Sequence, residues 1–430
     1  MLPLKFLKFA CYYIMLLTLL FYTKIKAQPY DNFGAIVTKN AIEINPHFVS
    51  REAKFMQEEK IIDPGKFQII GIGEQSHGTS EFFHARTSLI KLLASKNQIT
   101  KIGLEAPMAE VDLLNHALTG KSTDMKQLLK SFRLYGYECD EFVQLTEAVR
   151  LLNLNRAEKL RFFGFDAQSP FQALENMLTF SQKTNKSLAD SLKKLINNYQ
   201  LLDNEIYSHS FSTADFDELN ALSQYVFNSF DPFVKSKPKS DLIVRSIENY
   251  RQFLQINNPH LSNHDLHLQS RIRDSIMAVN VLEQLSSNDK LVVLAHNGHV
   301  QKTANPYSKS MGSFLSEKLG DNYKCMAMTT SRGFYTGFNP KAGKIIATNA
   351  VLPGDQDTFE FYFSLPGKPV LFIESDKISR QAGRLTIPEK YRLLPYGSTD
   401  HQFVTGNILN DFDFILHIHH TKGNKSFYLN

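Results

Sequence analysis

The chain reads as an α/β protein, with a central, mostly parallel sheet flanked by helices and a helical lobe inserted into it. Three observations predict this. The apolar runs FQIIGIG and KIGLEA bracket a helical pattern, a β-α-β opening. From about Pro170 to Ser287 the signals are almost entirely helical, and LLDNEI, FDELNALSQYVF and IVRSIENYRQFLQI carry apolar residues at three-to-four spacing. At residues 290–295 the run KLVVLA resumes the sheet.

In chain order, the first strand ends at Gly73, a helix spans about Thr79 to Ser95, and KIGLEA is the second strand. Helical patterns follow near Glu110–Leu118 and Phe142–Leu152, then the strand RFFGFD ends at Asp166. After KLVVLA come the loop HNGH, a helix near Met311–Leu319 and the strand YKCMAMT, with later strands at KIIATN, PVLFIE and FDFILHI. The expected organisation is a signal over residues 1–27, an α/β domain made of 28–169 and 288–430, and an inserted helical lobe over 170–287.

The first residues bear on the compartment. Lys5 and Lys8 precede an uncharged apolar run from Phe9 to Thr23, and Ala27 is an acceptable residue before a cut, which reads as a secretory signal. The run is shorter than the roughly 20 residues a spanning helix needs. A periplasmic or secreted protein without stable membrane insertion is expected, with an uncleaved N-terminal anchor as the alternative. The formal charge is +5, but residues 1–27 hold four lysines and no acid, which leaves +1 for the rest. Nothing in that balance points to a nucleic-acid partner. Cys139 and Cys325, the cysteines outside the signal, are too few for a disulfide scaffold, although one bridge is permitted.

Three predicted strands end by presenting acids or imidazoles: Glu74-Gln-Ser-His77, Glu105, and His296-Asn-Gly-His299. In open α/β sheets the carboxyl ends of strands line the ligand crevice, so the three should converge. His77 should precede a helix capped by Thr79 or Ser80, whose positive end favours the neutral imidazole, a form that takes a proton from water. Glu74 would orient that ring or share its proton, or else accept backbone N–H bonds in its own loop. Arg86 shares a helical stripe with Phe82, Leu89 and Leu93. There it would pair with a site carboxylate, hold a substrate oxygen, or snorkel to solvent. Glu105, beside His77, would raise imidazole basicity. Arg273 and Asp274 lie on a helix ahead of the third strand, where an internal ion pair is as fair a reading as a role at the site. Asp166 ends its own strand and is a further candidate.

Several signatures are missing. There is no GxSxG for a serine nucleophile of the α/β-hydrolase kind, and no HExxH or paired CxxC for zinc. GFNPKAGK at 337–344 has five residues between its glycines where a phosphate loop has four, and Ile345 replaces the required hydroxyl residue. GIGEQS imitates a dinucleotide fingerprint, but Ser76 stands where the third glycine belongs.

At these same residues the chain resembles the erythromycin esterase family, whose members carry GExxHGxxEFxxxR, a strand ending in Glu-Ala, and AHNxHV. Here they stand as Gly73-Glu74-Gln-Ser-His77-Gly78-Thr-Ser-Glu81-Phe82 with Arg86, as Glu105-Ala106, and as Ala295-His296-Asn-Gly-His299-Val300. GFDAQ at 164–168, Arg273-Asp274 and Met311-Gly312 extend the likeness over roughly residues 66 to 335. The resemblance implies hydrolysis of a small-molecule ester, the macrolactone of macrolide antibiotics, with His77 activating water. Glu74, Arg86, Glu105 and His296 would be its other catalytic groups, and His299, Arg273 and Asp166 its substrate-binding groups. Glu74 or Glu105 would tune the base, Arg86 or His296 would steady the oxyanion, and the lobe would cover a bulky substrate. No cofactor is required, although the same imidazoles and carboxylates make an adequate ligand set for a divalent metal. A different ester or amide substrate, and a non-catalytic ligand-binding protein of the cell envelope, are the alternatives.

Overall fold

The computed structural model describes residues 32–51, 67–95, 99–119, 124–202, 211–304, 309–394, 397 and 399–429. The signal over 1–27, and all of LLDNEI after its two leucines, lie outside them. Among the described residues no helix is long and apolar enough to cross a membrane.

The strands are β1 (Ile42–Glu43), β2 (Ile69–Glu74), β3 (Lys101–Pro107), β4 (Arg161–Asp166), β5 (Leu291–His296), β6 (Tyr323–Asn339), β7 (Lys344–Val351), β8 (Val370–Glu374), β9 (Lys390–Arg392), β10 (Phe403–Thr405) and β11 (Phe414–Thr421). Nine form one sheet in the order β1-β8-β11-β6-β2-β5-β3-β4, with β7 paired to β6. From β11 to β4 the pairing is parallel, whereas β1, β7 and β8 join antiparallel. The mixed, mostly parallel α/β sheet expected from the apolar runs is therefore present.

Those runs are apolar because helices cover both faces. Ile70, Ile72, Ile102, Leu104, Val292 and Leu294 point to one core with Phe82, Leu89, Leu93, Phe142 and Leu145 of the helices Ser80–Ser95 and Asp140–Leu154. The residues between them, Ile69, Leu291, Val293 and Ala295, point to the other core with Met277, Val281, Met311 and Leu315. That period of two is what sheet geometry requires.

Between β4 and β5 the described residues form helices and no strand. The helices Phe171–Ser181, Lys186–Leu201, Thr213–Ser236 and Leu242–Ile256 enclose their own core around Leu174, Leu192, Tyr199, Phe227, Tyr250 and Phe253. The last helix, Leu266–Glu283, belongs instead to the sheet layer through Met277, Ala278 and Val281.

β5 lies between β2 and β3 although it follows both in sequence, which sets the carboxyl ends of β2, β5, β3 and β4 side by side. Glu74 and His296 are direct register partners. Beyond β11 the chain turns back over this edge. Thr79 pairs with Gly423 and Cys139 with Ser426, while Asn424 and Thr336 both donate backbone N–H groups to Gly78 O at 2.8 Å. Cys139 and Cys325 are buried free thiols, so the permitted bridge is not formed. Thr79 and Ser80 do not cap the helix as expected: Thr79 pairs its hydroxyl with Ser76 (2.6 Å), and Ser80 donates its own to Glu141 (2.7 Å).

A Cβ on Gly78 would stand 1.8 Å from Thr336 O. Gly78→Ala must therefore push two hydrogen-bonded segments apart and is expected to cost about 3 kcal/mol, the upper end for overpacking. Urea denaturation measures it, and a midpoint equal to that of the wild type would contradict this packing.

Candidate active site

Two charged clusters stand on this edge, each built around an arginine, Arg86 fully buried and Arg273 slightly exposed. β2 ends in Glu74, and the turn that follows carries His77. Arg86, on the second turn of the helix Ser80–Ser95, is 0% exposed and places Nη1 2.8 Å from Glu74 Oε2. Its Nη2 donates to Ala295 O at 2.6 Å and Ile72 O at 3.2 Å, so one guanidinium ties together β2, β5 and the helix. The other carboxylate oxygen, Oε1, lies 2.9 Å from His77 Nδ1. A carboxylate facing a guanidinium only accepts hydrogen bonds, so Nδ1 is the donor and the basic lone pair of the ring is on Nε2. The His77 side chain is 27% exposed.

In the second cluster Arg273 holds Asp166 through Nη2 (2.6 Å) and Nε (3.1 Å), and Glu105 Oε1 through Nη2 (2.9 Å). His299 sits between Asp274 (Nδ1, 2.8 Å) and Glu105 (Nε2, 3.3 Å). Burial alone would lower the His299 pKa, but Asp274 and Glu105 outweigh it and push it up to about 10. The ring is thus an imidazolium that donates from both nitrogens. Burial would raise Glu105, yet His299 first, then His77 and Arg273, hold it well below the usual carboxylate range. Arg273, despite burial, is held above its ordinary value by Asp166 and Glu105.

His296 joins the clusters. Its backbone N–H donates to Glu105 Oε2 at 2.8 Å. Its Nε2 is 2.9 Å from Gln75 O and 3.0 Å from Leu394 O, and its Nδ1 accepts from Gly298 N at 3.2 Å. Carbonyls accept and amides donate, which makes the ring a neutral Nε2–H tautomer. Burial, with His77 and His299 nearby, lowers it to about 4. Its centroid is 5.2 Å from that of His77.

The residues named from sequence therefore converge, but several take other tasks. Arg86 neither holds a substrate oxygen nor snorkels to solvent, because it is sealed inside and spent on Glu74 and two carbonyls. His296 has its ring proton committed to Gln75 O and Leu394 O, so oxyanion stabilisation does not fall to it. Glu105 serves Arg273, His299 and the His296 amide, while Glu74 is the carboxylate in contact with His77. Asp166, 0% exposed, fixes Arg273 rather than binding a substrate. His299 donates both ring protons to carboxylates, so any action on a substrate is through its charge. Asp274, read as part of an ion pair with Arg273 or as a site residue, bonds His299 Nδ1 at 2.8 Å and accepts from Met311 N at 2.7 Å. No element was predicted over residues 132–139, whose Gly136 abuts His77: a Cβ there would be 3.3 Å from His77 Cβ. No sequence signal marks that contact.

Among the described residues no group of three or more His, Cys, Asp or Glu is disposed to hold a metal ion. The donor set explains why. Arg273 stands among the carboxylates, and His296 and His299 have both ring nitrogens engaged.

The model of the family described as erythromycin esterase matches residues 95–421. That span takes in Glu105, Asp166, Arg273, His296 and His299 and runs well past residue 335, while Glu74, His77 and Arg86 precede it. Erythromycin esterase type I of Escherichia coli is 26% identical over 293 residues, 61% of this chain and 70% of that one. Erythromycin esterase type II of Escherichia coli is 25% identical over 323 residues, 67% and 74% of the two chains. A mutant of the erythromycin esterase EreC in its open conformation aligns with a TM-score of 0.64 at 20% identity, over 85% of this chain and 94% of that one. A succinoglycan biosynthesis protein gives 0.73 at 19% identity, over 92% and 98%. A Bacillus cereus protein gives 0.74 at 19% identity, over 92% and 99%. At such identities the structural likenesses show the fold alone.

His299 and His296 set opposite pH limits within the site. His299, raised from 6.5 to about 10, contributes stability that is complete below pH 6.5 and is lost as pH rises through 10. His296, lowered from 6.5 to about 4, contributes stability that is complete above pH 6.5 and is lost as pH falls through 4. Urea denaturation at stepped pH should show stability declining on both sides of pH 6.5, with the alkaline decline reduced in Asp274→Asn. An unchanged alkaline limb in that variant would contradict the assignment of His299 as a cation.

Proposed function

The chain belongs to the erythromycin esterase family, and on that premise we propose that it hydrolyses an ester by direct attack of water, with His77 as the base and a macrolide lactone as the substrate class. The observation that carries this reading is the His77 Nδ1 contact with Glu74 Oε1 at 2.9 Å, backed by the buried Arg86. Glu74 accepts the Nδ1 proton, so Nε2 takes the proton of a water molecule as its oxygen adds to the carbonyl carbon. The imidazolium that forms is balanced by Glu74, while Arg86 keeps that carboxylate in place. Charge that develops on the carbonyl oxygen meets the cationic side of the second cluster. There Arg273 Nη1, which faces the already protonated His299 at 3.4 Å, is the guanidinium nitrogen not given to a carboxylate. Collapse of the tetrahedral intermediate breaks the ester C–O bond, and the proton on His77 passes to the departing alkoxide. The carboxylic acid and alcohol leave with no covalent enzyme intermediate and no step routed through a metal.

The reading is supported by the E. coli relatives named for erythromycin and by a crevice whose acids and bases already hold distinct protonation states. A helical lobe with its own core follows β4, whose carboxyl end is one of those at the site, and on this reading the lobe covers a bulky substrate.

The test is mass spectrometry of erythromycin incubated with the wild type, with a folded His77→Ala variant and with no protein. A drug that gains one water with the wild type alone is the expected result, unchanged by a chelator, with a loss of about 10³-fold or more in the variant. Erythromycin left intact by the wild type would remove the macrolide assignment, and equal activity in the variant would remove His77 as the base.

A further inference from the structure

In the hydrolase reading above most donors in the crevice are already spent. Arg86 serves Glu74 and two carbonyls, His296 serves two carbonyls, and His299 serves two carboxylates. Arg273 Nη1 is one remaining donor, and an oxygen that acquires a full negative charge is held best by more than one.

A second donor stands beside the base. Because Gly136 rests against His77, the next residue, Tyr137, is delivered to the same side of the crevice. Its ring packs on Phe142 with centroids 4.8 Å apart, and the residue is half-buried. The hydroxyl is close enough to Glu105, Arg86, Glu74 and Asp166 to feel all four charges, which lie in both clusters. Burial first, and Glu105 next, hold it well above the ordinary phenol range, so it remains a neutral O–H donor. Among the described residues this hydroxyl makes no hydrogen bond. The nearby Glu105 oxygens are already occupied by Arg273, His299 and the His296 amide.

The backbone around Tyr137 is fixed in advance. Its N–H donates to Leu134 O at 2.8 Å, and its carbonyl accepts from Cys139 N at 3.0 Å. The C-terminal segment then clamps the next residues, with Phe427 N–H donating to Glu138 O at 2.9 Å and Asp140 N–H to Lys425 O at 3.1 Å. That same segment holds Gly78 and Ser80 beside His77 through Asn424 N–H and Lys422 O. One strap therefore sets both the base and the phenol, and a donor held before the reaction needs no reorganisation during it.

We propose that Tyr137 donates its hydroxyl proton in a hydrogen bond to the carbonyl oxygen of the substrate as that oxygen becomes an oxyanion, a role that rests on the hydrolase reading. Tyr137 stays protonated throughout. Its effect falls on formation of the tetrahedral intermediate and not on departure of the alcohol.

Tyr137→Phe is the clean variant, because it removes an oxygen that makes no bond within the described protein. Rates with erythromycin, p-nitrophenyl butyrate and ethyl butyrate are compared with the wild type, beside thermal melting and the affinity of a butyl phosphonate monoanion, whose charged oxygens mimic the oxyanion. The expected result is an unchanged melting curve and KM, with kcat lower by about 10²-fold on every ester the wild type cleaves. Phosphonate affinity should fall in parallel. An active wild type matched within about threefold by Tyr137→Phe overturns the role alone. A loss on erythromycin and ethyl butyrate that spares p-nitrophenyl butyrate overturns it too, since that would be proton donation to a poor leaving group. A wild type that cleaves none of the three esters overturns the hydrolase reading and this role with it.

Discussion

Arg86 and Glu74 meet in the interior, and much of the site follows from that pair. A carboxylate and a guanidinium taken out of water are stable together only when the geometry is good and the remaining protons find acceptors. Here Ile72 O and Ala295 O accept from Nη2 at 3.2 and 2.6 Å, Nη1 meets Glu74 Oε2 as an ion pair at 2.8 Å, and Nε has no acceptor among the described residues. The pair therefore forms only when β2 lies beside β5 and the helix Ser80–Ser95 is seated against both. Once formed, it leaves Glu74 Oε1 aimed at His77 and dictates which nitrogen of that ring is basic. Losing either partner would strand a buried charge, at a cost of about 3–5 kcal/mol.

The second cluster repeats the device with the charges rearranged. Arg273 lies between Asp166 and Glu105, and His299 between Glu105 and Asp274, so three carboxylates face two cations. The result is an imidazole held charged at His299 a few residues from one held neutral at His296. Both cations depend on topology: Arg273 arrives on the helix Leu266–Glu283, which packs into the sheet layer after the chain has passed through the lobe. The long excursion between β4 and β5 thus delivers a charge to the strand ends. A crevice at the point where the strand order reverses is the usual ligand position in such sheets.

The strands were legible because runs such as Ile69-Ile-Gly-Ile and Leu291-Val-Val-Leu have no other stable environment than the inside of a covered sheet. The convergence of Glu74, Glu105 and His296 was legible for a related reason, since each sits where a strand must end. Roles were harder to read. Whether Arg86 meets Glu74 or a substrate depends on the distance between a helix and a strand, which no spacing within the helix encodes. His296 looked like a donor to substrate until Leu394 O, about a hundred residues away in sequence, proved to share its proton with Gln75 O. The clamp made by residues 422–427 was invisible for the same reason, because its own backbone makes most of its hydrogen bonds, to Gly78, Ser80, Asp140 and the carboxylates of Glu81 and Glu141, and so leaves little mark on its side-chain pattern. The short strands β1, β9 and β10 carry too few residues for any period to show.

The central claim is that the buried Arg86–Glu74 pair makes Nε2 the basic nitrogen of His77. Nitrogen-15 NMR of histidine-labelled protein, with the His77 ring assigned by difference from a His77→Gln variant, tests it most directly. The account predicts that the neutral ring carries its proton on Nδ1, with Nε2 at the shift of an unprotonated nitrogen. A proton found on Nε2 would contradict it, because Glu74 would then not be the acceptor that sets the base.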